Sequence, residues 1–151
     1  MIRVGFLGVM VMLAGCGQAD SMADKTPQNL PVRELNIQGE KNVQVLQVQI
    51  ADDDAKREKG LMFVKQMPQQ AGMLFVWPEA AMRNFWMRNT FIPLDLLYIR
   101  QGKIVNVVAW AKPFDETGLP SGEPADMVLE VNGGWASAHD VGVGDSVGYR
   151  P

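Results

Sequence analysis

The chain has 151 residues, which is enough for one domain with an extension but too few for two ordinary domains. Hydrophobic residues make up 47% and charged residues 21%, a composition that excludes a largely disordered polyelectrolyte. The formal net charge of −3 argues against a generic nucleic-acid-binding surface, and the single Cys and single His exclude a disulfide framework and a multi-histidine zinc centre.

Residues 1–15 have the layout of a bacterial secretory signal peptide. Arg3 precedes an apolar stretch from Val4 to Ala14, which is shorter than the about 20 residues that span a bilayer as a helix. The stretch ends in Leu-Ala-Gly-Cys, which resembles a lipobox, where the Cys thiol is lipidated and the chain is cut before it. Cys16 is therefore predicted to be the lipidated first residue of the mature chain.

A lipidated Cys16 predicts attachment to the cell envelope on the periplasmic side, because acyl chains on one residue give stable anchoring. Gly17 rather than Asp follows the cysteine, which by resemblance to enterobacterial sorting favours the outer membrane over the inner. The alternative is an ordinary cleaved signal peptide with Cys16 as an unmodified thiol. Residues 16–42 are polar and predict a flexible tether, in which Leu35 and Ile37 begin a short edge strand.

Residues 43–151 are predicted to form a single domain. Apolar and polar residues alternate from Val43 to Ile50, which predicts a strand with one solvent-facing side. Ala51–Lys59 is predicted to be a short helix, with aspartates at its start and Gly60 in the left-handed conformation after its end. The aspartates also suggest a calcium site, but without a loop of further spaced ligands a helix cap is the favoured interpretation.

The rest of the domain is dominated by extended segments, which predict a mainly β fold. The expected architecture is an antiparallel sandwich or a partly closed barrel with one or two short helices. Gln101-Gly102 predicts a tight hairpin turn, and Trp135–Asp140 one helical turn. The predicted strands and loop are Gly72–Trp77 (stopped by Pro78), Asn84–Arg88, Leu94–Arg100, Lys103–Ala111, the loop Pro113–Pro124, Ala125–Val131 and Asp145–Tyr149.

Several sequence blocks resemble the domain-of-unknown-function family 192. They are Arg-Glu-Lys-Gly-Leu-Met from Arg57, Gly-Met-Leu-Phe from Gly72, Phe-Trp-Met-Arg-Asn-Thr from Phe85, and Ile-Pro-Leu-Asp from Ile92, with a further match around Val128–Val131. The resemblance implies an all-β, sandwich-like domain that often follows an export signal, and it implies no established activity. The loop at 113–124 contains no cysteine, so no thiol or metal role is transferred to it.

The block from Trp86 to Asp95 is the main candidate for a binding site. An aromatic ring beside amide and carboxylate groups is typical of small sites for polar molecules, sugars included. The alternative is a rigid corner in which Asp95 accepts hydrogen bonds from Arg88 or Arg57. The candidate ligand-binding residues are Arg57, Trp86, Asn89, Thr90, Asp95 and Glu130.

Catalytic readings of the sequence are weaker. Asp95 and Glu130 suggest a carboxylate pair for saccharide hydrolysis, but ion pairing is the commoner role of such acids. No nucleophile elbow is present, His139 is the only candidate base, and the methionines lack the clustering of a copper site. We therefore expect a non-enzymatic envelope module that binds a polar small molecule or glycan, with no cofactor, metal or nucleic acid. A saccharide hydrolase is the alternative, and the oligomeric state is left open.

Overall fold

The computed structural model describes residues 28–149, so the predicted signal peptide, Cys16 and the first part of the tether lie outside the described residues. In this part of the chain no helix is long and apolar enough to cross a membrane. The elements are β1 (Val32–Gln38), β2 (Val43–Ala51), α1 (Asp54–Lys59), β3 (Ala71–Phe85), β4 (Leu94–Arg100), β5 (Lys103–Ala111), β6 (Leu119–Asn132), α2 (Trp135–Ala138) and β7 (Ser146–Tyr149).

The strands form one sheet that closes into a ring in the order β1-β2-β3-β6-β4-β5-β7, with β7 pairing back onto β1. The mainly β fold with short helices is thus confirmed. One strand pair departs from the expected antiparallel arrangement, because β2 and β3 are parallel. A parallel pair needs a crossover connection, and here α1 and the segment that follows it carry the chain from the end of β2 to the start of β3.

The ring separates two hydrophobic cores. All seven strands contribute to the inner core, which also includes Trp135 and Ala136 of α2. The outer core lies mainly on the other face of β3, β4 and β6. It is covered by residues from the connecting segments, among them Leu61, Val64, Met67 and Met87. Because side chains alternate across a strand, neighbouring residues of β4 and β6 face different cores.

Local signals account for α1 and for the hairpin. The Asp53 side chain accepts a hydrogen bond from the Lys56 backbone N–H at 2.8 Å, which caps the helix as predicted. Gly60 ends it with φ 45° and ψ −134°, which is a positive-φ conformation but not the predicted left-handed one, and the helix begins at Asp54 rather than Ala51. Gln101 and Gly102 both have positive φ, 49° and 71°, as a tight hairpin turn requires.

Three predicted boundaries are wrong. The segment 32–38, predicted as tether with only a short edge strand beginning at Leu35 and Ile37, is a full strand that pairs with both β2 and β7 and buries these two residues completely. β3 continues past Pro78, where a register shift in its pairing with β6 accommodates a residue that has no N–H. β6 begins at Leu119, inside the predicted loop 113–124, because Leu119 and Pro120 pair with the end of β3.

Candidate functional site

A cavity of about 330 Å³ opens on the outer face of the sheet. α1 and the turn after it form one side, and β3 and β6 form the inner wall. The segment from Trp86 to Thr90 forms the rim. The cavity is the place where four of the six candidate ligand-binding residues meet, namely Arg57, Trp86, Thr90 and Glu130.

Glu130 lies at the inner end of this cavity. Its pairing in β6 sets it between Met73 of β3 and Leu96 of β4, both of which are fully buried. Glu130 is only 4% exposed, and no hydrogen bond from residues 28–149 reaches its carboxylate. Loss of solvation by burial raises the pKa of the Glu130 carboxyl to about 8. Near neutral pH this group is therefore able to donate as well as accept a hydrogen bond.

Aromatic rings form the wall beside Glu130. Phe75 and Phe85 meet edge to face with centroids 5.1 Å apart, and Trp77 lies 6.2 Å from Phe85. The guanidinium of Arg83 lies 4.1 Å from the Trp77 ring centroid and that of Arg57 lies 5.3 Å from it. Cation–π contacts of this kind hold the indole in place, so the wall is preformed.

Arg57 forms the α1 side of the cavity but is already bonded to the protein. Its guanidinium donates to the Val76 carbonyl at 2.7 Å and pairs with Asp54 at 2.7 Å. Because its side chain is largely buried and both interactions orient it, Arg57 is fixed as a rim residue rather than free to swing into the cavity.

Two more of the predicted residues, Trp86 and Thr90, lie on the rim of the cavity. Trp86 is 47% exposed and Arg88 lies 5.3 Å from its ring centroid. Thr90 is nearly buried and its hydroxyl donates to the Arg88 carbonyl at 3.2 Å, which fixes the turn. Asn89 does not line the cavity. It occupies an adjacent shallow groove with φ 53°, and its amide contacts the Met62 sulfur at 3.9 Å.

Asp95 is not part of the site. It is completely buried, and its carboxylate accepts hydrogen bonds from three backbone N–H groups, those of Trp110 at 2.8 Å, Gly134 at 2.9 Å and Ala136 at 3.0 Å. The predicted pairing of Asp95 with Arg57 or Arg88 is therefore wrong. Asp95 instead joins β4 to the end of β5 and to the start of α2, where helix N–H groups lack partners within the helix.

The two carboxylates of the hydrolase hypothesis lie on opposite faces of the sheet. Glu130 pairs directly with Leu96, so it shares that residue's face, whereas Asp95 is the neighbour of Leu96 and faces the other way. A pair of acids that flanks one glycosidic bond has to share a cleft. The interpretation of Asp95 and Glu130 as a catalytic pair is therefore wrong.

Other candidate groups in the described part of the chain have structural roles or do not cluster. His139 stacks on Trp135 with centroids 4.4 Å apart, and its Nδ1 lies 2.8 Å from the Trp135 carbonyl oxygen. Among residues 28–149 no group of three or more His, Cys, Asp or Glu side chains is arranged to hold a metal ion.

The aromatic wall was not predicted as part of the site. Phe75 and Trp77 are predicted only as part of the strand Gly72–Trp77, and Phe85 only as part of the strand Asn84–Arg88. The available signal was their spacing: Met73, Phe75 and Trp77 alternate along β3 and so share one face, the face that also carries Glu130.

Comparisons with known proteins agree on the fold and on the family. The model of family DUF192, described as an uncharacterized ACR, matches residues 35–149. A comparison with curated proteins finds no match. A solved protein of unknown function from Novosphingobium aromaticivorans is 33% identical and superposes with a TM-score of 0.79, over 88% of this chain and 100% of that one.

A second solved structure, called a putative transcription regulator from Sinorhizobium meliloti, is 34% identical with a TM-score of 0.77. The match covers 79% of this chain and 94% of that one, so a chain made almost entirely of this domain adopts the fold by itself. The family match spans most of the sequence and includes every strand of the ring except the first three residues of β1. The chain belongs to the DUF192 family.

Proposed function

We propose that this protein is a binding module of the bacterial cell envelope, held at a membrane by a lipid on Cys16, whose cavity takes a polar small molecule or a glycan unit. The observation that carries the proposal is Glu130, a buried carboxyl that accepts no hydrogen bond from residues 28–149 and lines an aromatic cavity. Burial makes the charged form of this carboxyl costly, and a ligand that hydrogen-bonds to it would offset that cost.

The chemistry of the cavity defines the ligand class. Its inner end offers one hydrogen-bonding carboxyl beside apolar rings, and its rim offers the half-exposed face of Trp86 with Arg88 beside it. A ligand with a flat apolar face and polar edges matches this arrangement, and saccharides are the leading class with that shape. A volume of about 330 Å³ suits one or two sugar units or a molecule of similar size.

The test is calorimetric titration of the purified protein with neutral monosaccharides and disaccharides, amino sugars and small heterocycles. At least one class is expected to bind. Trp86→Ala is expected to weaken that binding about fivefold to thirtyfold, because a stacking face worth about 1 to 2 kcal/mol is lost. Glu130→Leu, which keeps the volume but not the hydrogen bond, is expected to weaken it about tenfold or more.

Trp110→Ala is the matched control, since Trp110 is an exposed tryptophan outside the cavity. Its affinity is expected to equal that of the wild type. The proposal fails if no probe binds, or if a probe binds equally well to wild type, Trp86→Ala and Glu130→Leu.

The anchor is tested separately. Cys16→Ala removes the chain's only thiol, so the protein is expected to leave the membrane fraction of cells or to keep its first fifteen residues. Mass spectrometry of the N-terminal peptide and fractionation of the cells measure the two effects. An unmodified Cys16 in the wild-type protein, with unchanged fractionation of the variant, contradicts the anchor and leaves the cavity proposal standing.

A further inference from the structure

Three exposed phenylalanines from three separate loops form one surface. The Phe63 and Phe91 rings have centroids 6.3 Å apart, and Phe91 and Phe114 meet edge to face at 5.0 Å. Their exposed fractions are 60%, 40% and 56% for Phe63, Phe91 and Phe114. We call these three residues the phenylalanine surface. Single exposed apolar residues are common, but a contiguous aromatic cluster at loop tips marks an interaction site.

Two of these phenylalanines have a strained backbone conformation that directs their rings toward solvent. Phe63 and Phe114 have φ of 66° and 62°, in the left-handed region that bulky residues avoid. Their N–H groups are fixed to the intervening segment, Phe63 to the Asn89 carbonyl at 2.8 Å and Phe114 to the Thr90 carbonyl at 3.2 Å. Strained backbone that presents apolar rings to solvent is typical of functional surfaces rather than of incidental loops.

The start of the described chain lies beside the same surface. The Gln28 side chain donates a hydrogen bond to the Met62 carbonyl at 3.1 Å, and Met62 directly precedes Phe63. Cys16 is only twelve residues before Gln28, so the segment between them reaches at most about 40 Å. A lipid on Cys16 would therefore keep this end of the domain within about 40 Å of the bilayer.

We propose that the phenylalanine surface docks on the lipid bilayer and inserts its rings at the membrane interface. The step that uses the tether rests on the lipid anchor of the proposed function, whereas the exposed rings and their backbone geometry do not. Aromatic side chains are favoured at the boundary between headgroups and acyl chains. Met62, Arg88 and Thr90 adjoin this surface and also line the cavity, so docking would set the mouth of the cavity close to the headgroups.

The nearby charges favour docking by apolar insertion over electrostatic attraction. Arg88 pairs with Glu116 at 3.8 Å. Lys65, Lys112 and Asp115 also flank the phenylalanines in sequence, so cations and anions are nearly balanced. Binding to a neutral bilayer is therefore expected, with little dependence on salt.

The test uses residues 28–151, which lack Cys16 and therefore any lipid, with vesicles of phosphatidylcholine. Sedimentation with the vesicles is expected for the wild-type domain. It should fall at least about tenfold for the triple variant Phe63→Asn, Phe91→Ser and Phe114→Asn, since the apolar contact is removed. Asn tolerates the left-handed conformation at positions 63 and 114. The triple variant Val43→Ser, Val45→Ser and Val143→Ser, at exposed positions outside the surface, is expected to bind like the wild type.

A second measurement tests the proposal without the triple variant, in case that variant does not fold. Residues 28–151 contain no cysteine, so the variant Phe114→Cys can be labelled at this one position with an environment-sensitive dye. The emission of that dye is expected to shift to shorter wavelength when vesicles are added. The emission of the same dye on Val143→Cys is expected to stay unchanged. Absence of vesicle binding by the wild type, equal binding by the triple variant, or loss of binding at high salt would each overturn the proposal. Self-association that the three phenylalanine substitutions abolish, without vesicle binding, would assign the surface to a second copy of the chain instead.

Discussion

Replacing Asp95 with alanine is expected to lower the free energy of unfolding by at least about 4 kcal/mol, a large part of the stability of an ordinary domain. The reason is that three backbone N–H groups lose their acceptor together, and each hydrogen bond to a charged group contributes about 1.5 to 3 kcal/mol. Because Asp95 is completely buried, water is not at hand to replace the carboxylate.

Two further substitutions, Asp95→Asn and Asp115→Ala, distinguish this role of Asp95 from a general effect of removing a negative charge. Asp95→Asn keeps one oxygen for the Trp110 and Gly134 N–H groups but turns an NH₂ group toward the Ala136 N–H, so an intermediate loss of about 2 kcal/mol is expected. Asp115→Ala removes an exposed carboxylate that is hydrogen-bonded by the backbone and side chain of the nearby Thr117, and its effect should be far smaller. Urea unfolding followed by tryptophan fluorescence measures all three. Equal midpoints for Asp95→Ala and Asp115→Ala would refute the role assigned to Asp95.

The elements that were predicted correctly are those set by short-range rules. Turn residues at Gln101-Gly102 and a capping aspartate at position 53 act on atoms a few positions away, so they are visible in the sequence. β1 is predicted only as a short edge strand beginning at Leu35 and Ile37, because only these two residues face inward while the rest of the strand is mostly exposed and polar. Closure of the ring and the parallel pairing of β2 with β3 depend on contacts between distant residues that no local pattern encodes.

The same division explains the site. Trp86 and Thr90 are predicted as site residues because they lie in one dense block, and Glu130 because it is considered as a carboxylate partner of Asp95. Asp95 was misassigned because its partners are backbone N–H groups, which leave no signature in the sequence, and arginines were considered instead. Whether Asp95 and Glu130 share one cleft or lie on opposite faces of the sheet depends on the register between β4 and β6. That register cannot be predicted from the sequence of either strand alone.

The Glu130 carboxyl is expected to make the stability of this protein fall as the pH rises from about 4.5 to about 8. Its pKa is raised from 4.5 to about 8 in the folded chain by burial, while the unfolded chain keeps the ordinary value. Between these two values the folded state holds a proton that the unfolded state has released. Stability therefore decreases by about 1.4 kcal/mol per pH unit, several kcal/mol in all, and levels off above pH 8.

Glu130→Gln removes this titration and keeps a polar group of the same shape. The variant is expected to equal or exceed the wild type in stability at pH 8, and its advantage should shrink steadily toward pH 5. Urea midpoints at four pH values measure the effect. Glu123→Gln, at an exposed position of the same strand, is the matched control and should follow the wild-type curve. If Glu130→Gln also followed that curve, Glu130 would be ionised at neutral pH, and a ligand would have to neutralise its charge rather than share its proton.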